Sequence, residues 1–184
     1  CYYRPAEDDV PGVREAWPAM IAAVTDNEGT ITGVHRTWLD PQSHDKAAVA
    51  YPRRAMGHLL GSGVRFGKAD GVMVAGEGLE TLLSLRQVMP SMAMIAGLSA
   101  AHLAAIQFPA ALRCLYVARD DDPAGATALS TLTERCEPLG IAVIPLEPRL
   151  DDFNSDLTTY GPERLAAAIR VQLSAADAVR FLKE

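Results

Sequence analysis

The sequence predicts an α/β protein in which helices cover both faces of a parallel sheet, with a small mixed α+β lobe before the sheet and a helical extension after it. Short apolar runs recur from residue 72 onward: "VMVAG", "MAMIAGLS", "LRCLYVAR" and "IAVIPLEP". They lack the in-and-out alternation of a half-solvated strand, so both of their faces are expected to be buried. Stretches with helical character separate them: "LETLLSLRQVM", "AAHLAAIQF" and "AGATALSTLTERCEPLG". Strand and helix alternating in this way make right-handed β-α-β connections, which build a parallel sheet and leave ligands outside the carboxyl ends of its strands.

Taken in chain order, residues 1–70 read as the smaller lobe. Within it, "AMIAAVTDNEGTITGVHRTWL" is two strands joined by the polar turn "DNEG", an antiparallel hairpin. Residues 41–68 are rich in Pro, Gly and basic side chains, and "RRAMGHLL" reads as a short helix. Residues 71–160 hold the alternating strands and helices, with Gly140 placed to end the third helix. Residues 161–184 form the extension, a helix opened by Pro162 and interrupted near Ser174, which has the chemistry of a second N-cap.

Composition narrows the function classes. The chain has 184 residues, of which 49% are hydrophobic and 22% charged, enough for one sizeable core. Its three cysteines, Cys1, Cys114 and Cys136, are too scattered for a disulfide framework or a zinc site, so a reducing, cytoplasmic setting is expected. No apolar run is long enough to span a membrane and no signal peptide is visible, while the missing initiator methionine suggests a fragment of something longer. The net charge is −6, which at first argues against a nucleic-acid partner. Residues 31–68, however, carry six cations (Arg36, Lys46, Arg53, Arg54, Arg65, Lys68) against Asp40 and Asp45, a local +4 that leaves −10 for the remainder. A basic segment beside an acidic domain suits a phosphate-binding groove next to a metal site, though charge alone favours a solvated face.

The acidic residues cluster where the sheet should end. "DDD" at 120–122 follows the third strand, Glu77 and Glu80 in "GEGLET" follow the first, and Asp151, Asp152 and Asp156 in "LDDFNSDL" follow the fourth. Carboxylates crowded on one edge raise one another's pKa unless a cation compensates, and an oxygen-only donor set suits Mg²⁺ or Mn²⁺. Asp120 and Asp122 are two apart, so in an extended segment they share a side while Asp121 points away. They are the primary candidate ligands. Gly78 and Gly125 would let the backbone approach a ligand, and a helix starting near Pro123 offers N–H groups to an anion. Each cluster alone also fits a cap or a turn, Asp122 before "PAG" being well placed to cap a helix. The histidines His35, His44, His58 and His102 lack metal-ligand spacing and read as structural, as do Trp17 and Trp38.

A glutamate and glycine after the first strand, Glu77 and Gly78, followed by Asp-x-Asp and a glycine after the third, Asp120, Asp122 and Gly125, resemble the Toprim domain of bacterial primases, topoisomerases and certain nucleases. The resemblance covers residues 72 to about 157 and implies a Rossmann-like sheet. It further implies that Asp120 and Asp122, with Glu77, hold Mg²⁺ or Mn²⁺, that Glu77 acts as general base or acid, and that Asp152 could bind a second ion. Primases carry an aspartate where this chain has Thr81, with Glu80 beside it, which resembles the divergent phage and mobile-element branch. Their hairpin and the basic stretch after it resemble this chain's N-terminal lobe, which implies that Arg36, Lys46, Arg53, Arg54 and Lys68 contact nucleotide or nucleic acid. The expected activity is metal-dependent primer synthesis in DNA replication. Its partners would be single-stranded DNA template and NTPs, with a helicase or zinc-binding domain elsewhere in a longer protein. A Toprim nuclease using water as nucleophile and a non-catalytic Toprim interaction module are the alternatives.

Overall fold

The structure is a computed structural model that describes residues 2–3 and 15–183. A ribbon of β1 (Tyr2–Tyr3) and β2 (Glu15–Ala16) precedes the N-terminal sheet of β3 (Ala19–Thr25), β4 (Ile31–Asp40), β5 (Asp45–Lys46) and β6 (Arg53–Gly57). The expected hairpin is β3–β4. Its turn is organised by Asp26, whose Oδ1 accepts from the N–H groups of Glu28 at 3.0 Å and Thr30 at 2.8 Å, while Gly29 supplies a φ of +84°. The long strand β4 pairs antiparallel with β3, β5 and β6, so its register fixes what the basic residues face.

"RRAMGHLL" is not the short helix that its composition suggests. Arg53–Gly57 pairs with β4, Ala55 opposite His35, and Gly57 has a φ of +107° that no helix accommodates. The open edge of β4 offers backbone partners that override a weak local preference.

The second sheet contains β7 (Val64–Phe66), β8 (Val72–Gly76), β9 (Met94–Ala96), β10 (Cys114–Ala118) and β11 (Ala142–Leu146), in the order β11-β10-β8-β9-β7. All neighbours are parallel except β7, an edge strand in the basic stretch that the sequence pattern did not reveal. Helices α1 (Leu79–Val88), α2 (Ala100–Ala105), α3 (Pro123–Cys136), α4 (Phe153–Arg170) and α5 (Ala175–Phe181) cover it. Along β10, Tyr116 and Ala118 face the core beneath α1, α4 and α5, while Leu115 and Val117 face the core beneath α2 and α3. Both faces are therefore buried, which is why these strands read as unbroken apolar runs. Gly140, at φ +67°, ends a 3-10 turn (Glu137–Leu139) that continues α3.

The last helical segment starts earlier than Pro162. Asp152 caps α4, its Oδ1 accepting from Ser155 N–H at 2.7 Å, and Phe153 is fully buried. Asp156, 1% exposed, accepts from the N–H groups of Arg149 at 2.8 Å and Leu150 at 3.0 Å, tying α4 to the loop before it. Gly161 breaks the helix at φ +80° and Pro162 resumes it, so the proline marks a restart. Ser174 does cap α5. The Tyr116 hydroxyl donates to Asp177 Oδ2 at 2.7 Å and accepts from Ser174 N–H at 3.0 Å, anchoring α5 to the central strand.

The two sheets meet where Thr25 and Gly63 exchange backbone hydrogen bonds at 2.9 and 3.1 Å. Met20 and Ala22 on the inner face of β3 pack against the core that includes α1. This packing sets the N-terminal lobe over the first turn of α1. No helix among the described residues is long and apolar enough to cross a membrane.

Candidate functional site

Strand β10 ends at Ala118, and Asp120 follows at the carboxyl edge of the sheet. Its Oδ1 is buried and has no hydrogen-bond partner. Burial pushes the Asp120 carboxyl up to about 6, and Glu77, Asp152, Asp122 and Glu80 add to the shift in that order. Carboxylates from three separate loops are thus close enough to oppose one another's ionisation. Glu77, after β8, is raised as well, first by burial and then by Asp122, with Arg53 opposing.

The flanking aspartates have structural tasks. Asp122 caps α3, Oδ1 accepting from Gly125 N–H at 2.7 Å, just as Asp152 caps α4. Each cap commits one carboxylate oxygen and leaves a second. Asp121 points outward, 70% exposed, with its Oδ1 3.3 Å from Arg119, which also lies 3.7 Å from Glu147. A Cβ at Gly125 would come within 2.6 Å of the Asp120 carbonyl oxygen, so glycine there lets the first turn of α3 fold onto the aspartate loop. Gly78 lines the cleft described below, where a Cβ would lie 3.1 Å from Thr81 Oγ1. Thr81 itself is 2% exposed.

Among the described residues, no three His, Cys, Asp or Glu side chains are arranged to hold a metal ion as they stand. The donor chemistry nevertheless fits a hard divalent cation: oxygen only, with a buried, unpartnered Asp120 oxygen amid mutually repelling carboxylates. Mg²⁺ keeps several waters and shares its shell with substrate phosphates, so one or two protein carboxylates suffice.

The basic residues divide by strand parity. Side chains alternate along β4 and β6, so His35, Thr37 and Arg53 share one face, while Arg36 and its cross-strand partner Arg54 share the other. Arg53 lies 3.8 Å from Glu80, and Lys46 on β5 lies 3.5 Å from the same carboxylate. Arg36 lies over the Trp38 ring at 5.4 Å and Arg54 over Tyr51 at 5.5 Å. Lys68 sits elsewhere, in a cavity with Arg65, Asp26 and Glu28 that also touches Met73 and Ala93 near the amino ends of β8 and β9. It lies at the opposite edge of the sheet from the carboxylates.

Between the lobes is a cleft of about 270 Å³, bordered by His35, Arg53 and Arg54 on one side, by Glu77 and Glu80 on the other, and by Leu98 and Ser99 from the loop after β9. His35 is the residue that sequence reasoning passed over. It is 6% exposed, its Nδ1 has no partner, and burial holds its pKa below the usual imidazole value. Spacing gave no sign of this, because only the pairing of β4 with β6 aligns His35 beside Arg53.

A Rossmann-like sheet with acidic loops on its carboxyl edge defines the class, and the chain belongs to the Toprim domain family, which matches residues 72–163. A second family, described as a domain of unknown function (DUF7146), matches residues 1–66. No curated protein matches in sequence. Among solved structures, the chain is similar to a DNA primase domain from Pseudomonas aeruginosa, with a TM-score of 0.57 and 18% identity over 92% of this chain and 56% of that one. It is also similar to the primase fragment of the bacteriophage T7 primase-helicase protein, with a TM-score of 0.55 and 16% identity over 89% of this chain and 64% of that one. The Aquifex aeolicus primase, comprising zinc-binding and RNA polymerase domains, gives a TM-score of 0.54 and 16% identity over 94% of this chain and 44% of that one. The chain thus spans less than two thirds of each of these structures, and at such identities the likeness is one of fold.

Proposed function

We propose that this chain is the catalytic core of a primase-like enzyme that joins nucleotides in a metal-dependent reaction on a single-stranded DNA template. One observation carries the reading: the packing of the two lobes sets Lys46 and Arg53 within 4 Å of the acidic first turn of α1, beside the crowded Asp120 loop. Cations that can hold phosphates next to carboxylates that can hold a metal are what phosphoryl transfer to a nucleotide needs.

In this reading Asp120 is the principal metal ligand, with Glu77 and the second oxygens of Asp122 and Asp152 completing the donor set. Mg²⁺ or Mn²⁺ held there would offset the charge that develops on the α-phosphate. Glu77, with its raised proton affinity, would accept the proton of the attacking 3′-hydroxyl. Lys46 and Arg53 would orient the triphosphate, while Arg36, on the far face of β4–β6, and Arg54, which also borders the cleft, would contact template phosphates. Lys68 would contact nucleic acid outside the cleft. In this reading residues 1–70 would be the basic lobe, 71–160 the Toprim unit and 161–184 the extension, although β7 (Val64–Phe66) of the basic stretch already pairs into the second sheet. A helicase or zinc-binding domain would be the partner in a longer protein.

The test is calorimetric titration of Mn²⁺, with and without ATP, into the wild type and the Asp120→Asn, Asp122→Asn double variant, alongside primer synthesis on single-stranded DNA. Binding that tightens with ATP and disappears with activity in the variant supports the proposal. Mn²⁺ binding indifferent to ATP, accompanied by nicking of DNA, would replace it with a Toprim nuclease.

A further inference from the structure

We propose that Glu80 is a positioning residue that stands in for polyphosphate: with no nucleotide bound, its carboxylate holds Lys46 and Arg53 at the cleft, and the phosphates of an incoming nucleoside triphosphate displace it. The inference rests on the nucleotide-binding reading above and assigns Glu80 to the phosphate side of the site, not to the metal.

Glu80 lies in the first turn of α1, three residues after Glu77, yet both of its charged partners come from the other lobe. The contacts are long, 3.5 Å to Lys46 Nζ and 3.8 Å to Arg53, and Glu80 Oε1 is buried with no hydrogen bond. A carboxylate serving as a permanent bridge would have its oxygens satisfied by short, charge-assisted hydrogen bonds. This one holds two cations in place without saturating them. Both cations stay open to solvent, Lys46 at 38% and Arg53 at 53% exposure, so an anion can reach them from outside. Ion pairs this exposed are weak and screened by salt, whereas a triphosphate brings several charged oxygens to the same two groups.

Further unused hydrogen-bonding capacity lies on the same wall. His35 shares its face with Arg53, borders the cleft with Glu80, and keeps an unpartnered Nδ1. Of the four carboxylates that raise Asp120, moreover, Glu80 acts least. Its ion-pair partners, Lys46 and Arg53, both belong to the basic lobe.

The experiment is titration of inorganic tripolyphosphate, at fixed Mg²⁺ and low ionic strength, into the wild type, Glu80→Gln, Glu80→Asp and a Lys46→Gln, Arg53→Gln double variant. Glu80→Gln is expected to bind about two- to fivefold more tightly than the wild type, the scale of one lost surface charge competitor. Glu80→Asp keeps the charge and should stay near the wild type, while the double variant should lose binding. A purely structural Glu80 predicts no change on Glu80→Gln, and a metal-ligating one predicts weaker binding. If the wild type binds, the double variant does not, and Glu80→Gln binds equally or more weakly, this inference falls and the nucleotide reading stands. Absence of binding in every chain would overturn both.

Discussion

The two sheets place their charges by different rules. In the parallel sheet every central strand is covered on both faces, so those strands carry no charge along their length and it emerges at their ends. Asp120, Asp122 and Asp152 gather on the carboxyl edge for that reason, and two of them also cap the helices that follow. In the antiparallel sheet β6 is mostly exposed and β4 half-buried, so charges run along the strands, and parity decides which neighbours they meet. Arg53 and Arg54 are adjacent in sequence yet meet different neighbours, one Glu80 and the other the Tyr51 ring. A site at a strand end is fixed by topology alone; a site on a strand face is fixed only once register is set.

The sharpest contrast is in stability. Phe153→Ala empties a fully buried site beneath the parallel sheet and should cost about 3–5 kcal/mol in denaturant unfolding. Ile21→Ala, 61% exposed on β3, should change stability by no more than about 0.5 kcal/mol. Comparable losses from the two substitutions would mean that the N-terminal sheet is covered on both faces too. Removing Asp156, a buried carboxylate that serves two backbone donors, should cost about 2–3 kcal/mol through Asp156→Ala. The Asp152→Ala cap deletion should cost only about 1 kcal/mol.

The strand ends also predict a pH effect. The Asp120 carboxyl is raised to about 6 in the folded protein, above its ordinary value, so the folded state holds its proton more tightly than the unfolded state. Without metal, the ionised group therefore opposes folding. Stability should fall as pH rises from about 4 to 6, and the full penalty should persist above that. Asp120→Asn should melt higher than the wild type at pH 7, with the difference fading toward pH 4. Mg²⁺ should raise the wild-type melting temperature but not the variant's. Identical melting profiles across this range would show that the carboxyl edge carries no such strain.

This difference in rules explains what could be read from the chain. Apolar runs such as "VMVAG" and "LRCLYVAR" declare their burial, and the residues just beyond them declare the acidic edge, so the Toprim sheet and the clustering of Glu77, Asp120 and Asp152 were legible. The strand Arg53–Gly57 was not, because "RRAMG" has neither β-branched residues nor a polar-apolar pattern and pairs only because β4 has an open edge. Without β6 in place, His35 cannot be aligned with Arg53, and the basic residues look equivalent when they are not. The start of α4 was hidden for a related reason: Asp152 and Asp156 have the composition of a loop, and only their hydrogen bonds reveal a cap and an anchor.

The smallest expected effect tests parity directly. Arg53→Gln removes a cation from the cleft face, and Arg36→Gln removes one from the opposite face of the same three-stranded unit. If parity governs, Arg53→Gln should weaken Mg²⁺–tripolyphosphate binding severalfold and flatten its salt dependence, while Arg36→Gln leaves both near the wild type. Single-stranded DNA binding should show the reverse preference, with Arg36→Gln lowering the slope of log affinity against log salt by up to about one unit, as expected for one lost phosphate contact. Equal losses in both assays for both variants would mean that the two faces act as one diffuse basic surface. A loss confined to the expected assay for each would show that alternation along β4 and β6 separates a face for the nucleotide from a face for the strand it copies.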